Sequence, residues 1–151
     1  MSQRDRIRMS DDEIETFFAA ARKLQIASAN ADGTPHLVTM YYALLDGDLA
    51  FWTYGKSQKA VNLRRDPRIT CLLEDGIAYD ELRGVTVYGE VELIEDFDRV
   101  VAFGMDLTAR YPEVFGADAE AMRPFVEQQA AKRVVARVRA KRTASWDHSK
   151  M

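Results

Sequence analysis

The chain has 151 residues, with 21 Lys and Arg against 24 Asp and Glu, and a formal net charge of −3. Its hydrophobic (47%), charged (30%) and aromatic (10%) contents are ordinary globular usage, which excludes a disordered, collagenous or low-complexity chain and suits one domain over residues 1–151. A domain of this size hides roughly 70% of the surface its unfolded chain exposes, so it needs no disulfide or metal staple, and the acidic balance argues against a protein that works by wrapping nucleic acid.

Ser10-Asp11-Asp12-Glu13 fits a capping box and predicts a helix start. Ile14, Phe17, Phe18, Ala21 and Leu24 then recur at helical spacing, which puts the helix end near Leu24. Short apolar runs follow at residues 26–30, 37–45 and 49–54, separated by Asp32-Gly33 and Asp46-Gly47. Both dipeptides favour hairpin turns, because glycine accepts positive φ without a Cβ clash, so three antiparallel strands are expected. Residues 57–65 read as a short helix with Ser57 as N-cap and Ala60, Val61 and Leu63 turned inward. Asp66-Pro67 stops it, since proline pushes the preceding residue out of helical geometry, and residues 68–74 form another strand.

Residues 85–94 alternate as a half-buried strand, with Val85, Val87, Val91 and Leu93 on one face. Phe97, Val100, Val101, Gly104, Leu107 and Tyr111 trace a second amphipathic helix that Pro112 ends, and a further helical piece over 118–129 is divided by Pro124. Val134, Ala136, Val138 and Ala140 alternate as a last strand before a polar tail. Strands joined by tight turns, without a regular βαβ series, predict an α+β fold: an antiparallel barrel of six strands with peripheral helices.

The stretch from Phe51 to Asn62 is the most informative. It runs from strand into helix through one glycine, where free first-turn amides, the Ser57 hydroxyl and the Lys59 ammonium can hold a phosphate. Gly55-Lys56-Ser57 matches the end of a P-loop, but residue 50, where the first glycine would stand, is Ala50, and no Gly-x-Gly-x-x-Gly occurs. A nucleotide hydrolase and a Rossmann cofactor site are both disfavoured. Cys71 is the only cysteine and is expected as a buried small hydrophobe; with only His36 and His148 beside it, no metal site is expected. No run of about 18 apolar residues and no secretory signal is present, so a cytoplasmic protein without a membrane partner is expected.

Phe51 to Lys59, the downstream Asn62-Leu63-Arg64-Arg65-Asp66-Pro67-Arg68, and Pro35-His36 at the opening of the preceding strand resemble the flavin- and deazaflavin-binding split barrels related to pyridoxamine 5'-phosphate oxidase. The resemblance covers nearly the whole chain. It implies a six-stranded split β-barrel and a homodimer with the cofactor between subunits. It further implies that Trp52, Thr53, Ser57, Gln58 and Lys59 bind the cofactor, and that Val38, Thr39, Met40 and Tyr41 lie along its tricyclic ring. Leu37 stands where the true pyridoxamine phosphate oxidases carry a phosphate-binding arginine, Tyr42 replaces a lysine near the ring, and the C-terminal Arg-x-His motif has no match. The short chain and the run from Ser57 to Asn62 look more like the split barrels that use coenzyme F420, with FMN as the alternative.

That reading implies hydride transfer from the reduced deazaflavin to an unsaturated or conjugated small molecule. Lys56, Arg64 and Arg65 are candidates for the acidic cofactor tail. The opposing class is a noncatalytic binder of a flavin, haem or other planar ligand. No acid, base or nucleophile with a recognisable spacing is present, which agrees with a reaction whose reactive atom belongs to the cofactor. Lys132, Arg133, Arg137, Arg139, Lys141 and Arg142 form a basic segment that reads as a solvated strand face or as a contact for an acidic tail. Trp146 reads as a barrel closure or a cover for the partner's cofactor, and Tyr79, Asp80 and Glu81 as a loop bordering the substrate.

Overall fold

Two capping boxes open the chain in the computed structural model, which describes residues 1–151. Ser2 and Asp5 cap a single turn, α1 (Gln3–Arg6), which the sequence reading did not expect, and Ser10 and Glu13 cap α2 (Asp11–Ala20). The Ser10 hydroxyl accepts from the Glu13 amide and the Glu13 carboxylate accepts from the Ser10 amide, so two first-turn donors are satisfied. The helix ends at Ala20 rather than near Leu24, because Leu24 is the first residue of β1 (Leu24–Ala29), fully buried. A leucine in either role faces the core, so periodicity alone does not separate the two.

β1 pairs antiparallel with β2 (Pro35–Met40), and β3 (Ala43–Leu45) with β4 (Asp48–Tyr54). Asp46 at φ 51° and Gly47 at φ 85° form the two-residue turn of the second hairpin, the conformation that Asp-Gly favours. With β5 (Arg68–Asp75), β6 (Arg83–Ile94) and β7 (Arg133–Asp147), the sheet order is β2-β1-β5-β6-β7-β4-β3.

The sheet thus has seven strands, not six. The expected strand over 37–45 is divided at Tyr41 and Tyr42. Tyr42 is fully buried; its hydroxyl donates to the Phe18 and Ala21 carbonyls at the end of α2, and its amide donates to the Tyr111 hydroxyl. β2 and β3 are consequently the two edges of the sheet, yet the three Cα steps from Met40 to Ala43 span at most about 11 Å. The sheet must curl until its edges nearly meet, which makes it a barrel.

The barrel interior is filled by Leu24, Ile26, Phe51, Ile69, Leu73, Val85 and their neighbours. Phe17 of α2 enters from one end and Leu63 of α3 (Gln58–Arg65) from the other. A second core lies outside, where α4 (Phe97–Arg110) and α6 (Arg123–Ala130) cover Trp52 and Val135. Gly104 allows this approach, because a Cβ there would stand 2.5 Å from the Trp52 ring. Pro112 begins a further short helix, α5 (Pro112–Phe115), and Pro124 sits in the first turn of α6, just after a 3-10 turn at Glu120–Met122.

β7 runs on to Asp147, so the expected polar tail is strand: Arg83 pairs with Asp147, and Trp146 lies flat on Gly84, where a Cβ would come within 2.3 Å of the indole. The outward residues of β2, β5 and β6 remain partly or fully exposed, Leu37 at 69% among them. No helix is long and apolar enough to cross a membrane, and no group of three or more His, Cys, Asp or Glu side chains could hold a metal ion.

Candidate functional site

The Ser57 cap of α3 is built as the sequence predicts, and Ala60 and Leu63 are buried, but Val61, expected inward, is exposed, and Asn62 takes the buried place instead. Ser57 is in extended geometry as N-cap, and its hydroxyl accepts from the Ala60 amide at 3.2 Å. Thr53, buried at the end of β4, holds that hydroxyl from the other side, with its Oγ1 3.0 Å from Ser57 Oγ. The Gln58 and Lys59 amides, the first two of the helix, have no intrahelical acceptor and point outward along the positive end of the helix dipole.

Two long-range contacts bring more cations here. The Gly55 amide donates to the Lys132 carbonyl at 2.9 Å, and Tyr54 pairs with Arg133 at the start of β7. The Arg133 guanidinium stacks 4.1 Å from the Tyr54 ring centroid and 4.9 Å from that of Trp52, while its Nε donates to Gln129 at 3.1 Å. Lys59 is half-buried, and burial first, then the Arg133 charge, lowers its pKa below the ordinary lysine value. None of Lys56, Lys59, Lys132 and Arg133 takes part in any of the molecule's ion pairs.

The rest of α3 is tied down by Asn62. Fully buried, it donates to Ser28 Oγ at 3.2 Å and Asn30 Oδ1 at 3.0 Å, and it accepts from Gln58 at 2.8 Å and from Arg65 at 3.2 Å. Arg65 also donates to the Ala29 carbonyl, and Arg64 donates to the Gly55 carbonyl and pairs with Glu95 at 3.2 Å. These two arginines fix α3 and its entry turn to the strands.

Among the residues expected at a cofactor, Thr53, Ser57, Gln58, Lys59 and the exposed Lys56 are gathered at this turn, and Trp52 reaches it through Arg133. Gln58 shares a shallow depression with His36 of β2, Asn30 and Asp32. On β2, Val38 and Met40 pack against the barrel core, whereas Thr39 faces out. Tyr41 is stacked 4.8 Å from Tyr111 and lies 6.3 Å from Phe115, at the α4–α5 corner. Trp52 itself is 9% exposed and belongs to the second core.

The basic C-terminal segment divides in two. Arg137 and Arg139 pair with Asp48 at 2.8 and 3.2 Å, Lys141 lies 3.9 Å from Glu90 and Arg142 stacks on Tyr88, whereas Lys132 and Arg133 join the α3 turn. Sequence reasoning missed Asn62 and Gln129 as supports, and it had no local signal to separate Arg133 from the arginines after it. Cys71 is 1% exposed and burial pushes its thiol up to about 12, so it is inert as a nucleophile. Tyr79, Asp80 and Glu81 form one 3-10 turn, clasped by His148 through the Tyr79 carbonyl at 2.8 Å.

Residues 10–147 match the family model described as pyridoxamine 5'-phosphate oxidase. Among solved structures, the conserved hypothetical protein Rv2991 from Mycobacterium tuberculosis is 45% identical, with 99% of this chain and 92% of that chain covered and a TM-score of 0.91. A protein described as an F420 reductase is 26% identical over 86% of this chain and 94% of its own, with a TM-score of 0.66. The heme storage protein HutZ from Vibrio cholerae shares the fold at 15% identity, 89% and 94% coverage and a TM-score of 0.66. No curated protein matches the chain. With its split barrel, its capped α3 turn and a family match that spans nearly all of its length, the chain belongs to the pyridoxamine 5'-phosphate oxidase family.

Proposed function

We propose that the protein is an oxidoreductase that holds coenzyme F420 at a homodimer interface and passes a hydride from the reduced coenzyme to an unsaturated or conjugated small molecule. One observation carries the reading: Lys59 is partly withdrawn from water beside Arg133, with no carboxylate to pair either cation. Two neighbouring cations are unfavourable until an anion joins them, and the Ser57 hydroxyl and first-turn amides beside them are the donors a phosphate accepts from. This donor set fits a ribityl phosphate.

In this reading Ser57, Gln58 and Lys59 hold the phosphate, Thr53 orients the Ser57 hydroxyl and Trp52 supports Arg133. The backbone over Val38, Thr39, Met40 and Tyr41, with Thr39 on the outer face of β2, supplies the wall along the ring. When bound, the deazaflavin supplies the hydride from its ring carbon. The chain contributes position, charge and exclusion of water, and no side chain is assigned as acid or base.

FMN shares the tricyclic head and the phosphate, so the choice rests on the longer acidic tail of F420. Lys56, Lys132 and Arg133, free of carboxylates, support a tail; Arg64 and Arg65 are already engaged with Glu95, Asn62 and backbone carbonyls. The likeness to an F420 reductase at 26% identity points the same way. The exposed outer face of β2, β5 and β6, which carries a groove of about 460 Å³ bordered by Tyr88 and Pro35, supports a second copy seated there.

Titrating the purified apoprotein with F420 and with FMN tests the proposal, with the fluorescence of Trp52 beneath Arg133 as reporter. F420 binds more tightly, and its advantage shrinks as salt screens the tail. Tight FMN binding without F420 binding would make the protein an FMN-dependent oxidoreductase of the same fold. Binding of neither would favour a noncatalytic planar-ligand carrier. Sedimentation showing a monomer that binds F420 tightly would contradict the interface site.

A further inference from the structure

A second cavity opens at the end of the barrel remote from α3. α2 precedes Leu24 at the start of β1, whereas Asn62 of α3 binds Ser28 near the end of that strand, so the two helices close opposite mouths. Beside α2 lies a slot of about 250 Å³ between that helix, the β3–β4 hairpin and strands β6 and β7. Ile14 and Phe18 form one wall, and Leu49, Val87, Val138 and Ala140 form the other.

Small residues hold the slot open. Gly47 lies in the hairpin turn and Ala140 on β7, where the β6–β7 register shifts so that Tyr88 pairs with Arg142 but Gly89 pairs with Ala140. Lys141 is thereby left out of the ladder, a bulge of the kind that re-aims side chains beside binding sites.

The rim is acidic. Asp11 and Glu15 stand one turn apart on α2, both exposed, and neither takes part in an ion pair. The third rim acid, Asp48, is already neutralised by Arg137 and Arg139. No lysine or arginine lines the slot. Like charges one helical turn apart repel, so a cation seated between Asp11 and Glu15 relieves that repulsion.

We propose that this slot binds a small apolar organic cation, an amine carried on an aromatic or aliphatic body. The body lies against Ile14, Phe18 and Val138, and the ammonium reaches Asp11 and Glu15. The volume suits a ligand below drug size, whose pockets run from about 300 to 1,000 Å³. No slot residue belongs to the α3 site, so the inference stands apart from the deazaflavin reading.

The test is a methyl NMR titration of the full chain with 2-phenylethylammonium, its neutral isostere 2-phenylethanol, and 3-phenylpropionate. Saturable shifts are expected at the methyls of Leu49, Val87 and Val138, with the amine bound about threefold to tenfold more tightly than the alcohol and the carboxylate weakest. The double variant Asp11→Asn, Glu15→Gln erases the advantage of the amine, and Ala140→Leu blocks all three probes. Thr143→Leu fills the slot from an exposed strand position and serves if Ala140→Leu does not fold. Equal binding of amine and alcohol, shifts that persist in the filled variants, or no saturable shift at all would overturn the proposal.

Discussion

At the first turn of α3, Lys56 and Lys59 stand near the Lys132–Arg133 start of β7 with no carboxylate partner and a single side-chain acceptor, Gln129 on Arg133, whereas at its last turn Arg64, Arg65 and the following Arg68 each bind acceptors of the protein. Arg64 and Arg65 stitch the helix to Gly55, Glu95 and Ala29, and Arg68 pairs with Asp66 at 2.7 Å. The two ends of one short helix thus gather cations of two kinds. Those at the last turn are already engaged with carbonyls, Asn62 and carboxylates, and those at the first turn, with only the neutral Gln129 beside Arg133, are left for an anion from outside. A count of basic residues cannot tell the two apart; the acceptors around them do.

The strongest way to break this contrast is Lys59→Ala. Loss of one charge-assisted hydrogen bond, about 1.5 to 3 kcal/mol, weakens F420 binding roughly 10- to 100-fold in a fluorescence titration, while Arg64→Ala changes it by less than about threefold. Unchanged affinity in a folded Lys59→Ala variant would remove this residue from the site. Asn62→Ala attacks the other end. It deprives the buried Ser28 hydroxyl of its donor and Gln58 and Arg65 of their acceptor, and should lower stability by about 1 to 3 kcal/mol in urea denaturation.

Smaller effects follow pH. The Lys59 value is lowered in the free protein, so the charged form opposes folding, and stability rises with pH between that lowered value and the ordinary 10.5. A bound phosphate favours the ammonium again, so cofactor binding takes up protons in that alkaline window; calorimetry in buffers of different ionisation enthalpy detects the uptake, and Lys59→Ala abolishes it. The smallest effect belongs to Asp66, whose carboxyl the Arg68 hydrogen bond holds down at about 2. Its contribution is complete above the ordinary 3.8 and is lost as pH falls from there towards 2, so Asp66→Asn flattens acid unfolding only in that interval.

Local chemistry made much of this legible in the sequence. The capping box at Ser10, the Asp46-Gly47 turn and the Ser57 cap each depend on residues within three or four positions, and each appears where expected. What stayed hidden depends on contacts between distant segments. Tyr42 splits a continuous apolar run because carbonyls of α2 and the hydroxyl of Tyr111 receive it, about 20 and 70 residues away, as the separations of 21, 24 and 69 show. The same holds for the candidate site: Ser57 and Lys59 were readable, but Arg133 joins them only through the β4–β7 pairing. The length of β7 is obscured because Arg139 to Thr143 lie on the surface and the half-buried Ala144 to Asp147 beyond them carry no apolar alternation to mark them as strand.

A crystal structure of the protein with F420 tests the central claim most directly. The account predicts the cofactor phosphate within hydrogen-bond distance of Ser57 Oγ and Lys59 Nζ, at the first turn of α3, with the ring running along β2 and a second copy of the chain closing the cleft. A phosphate seated instead on Arg64, Arg65 or Arg68, with Lys59 free in solvent, would contradict it.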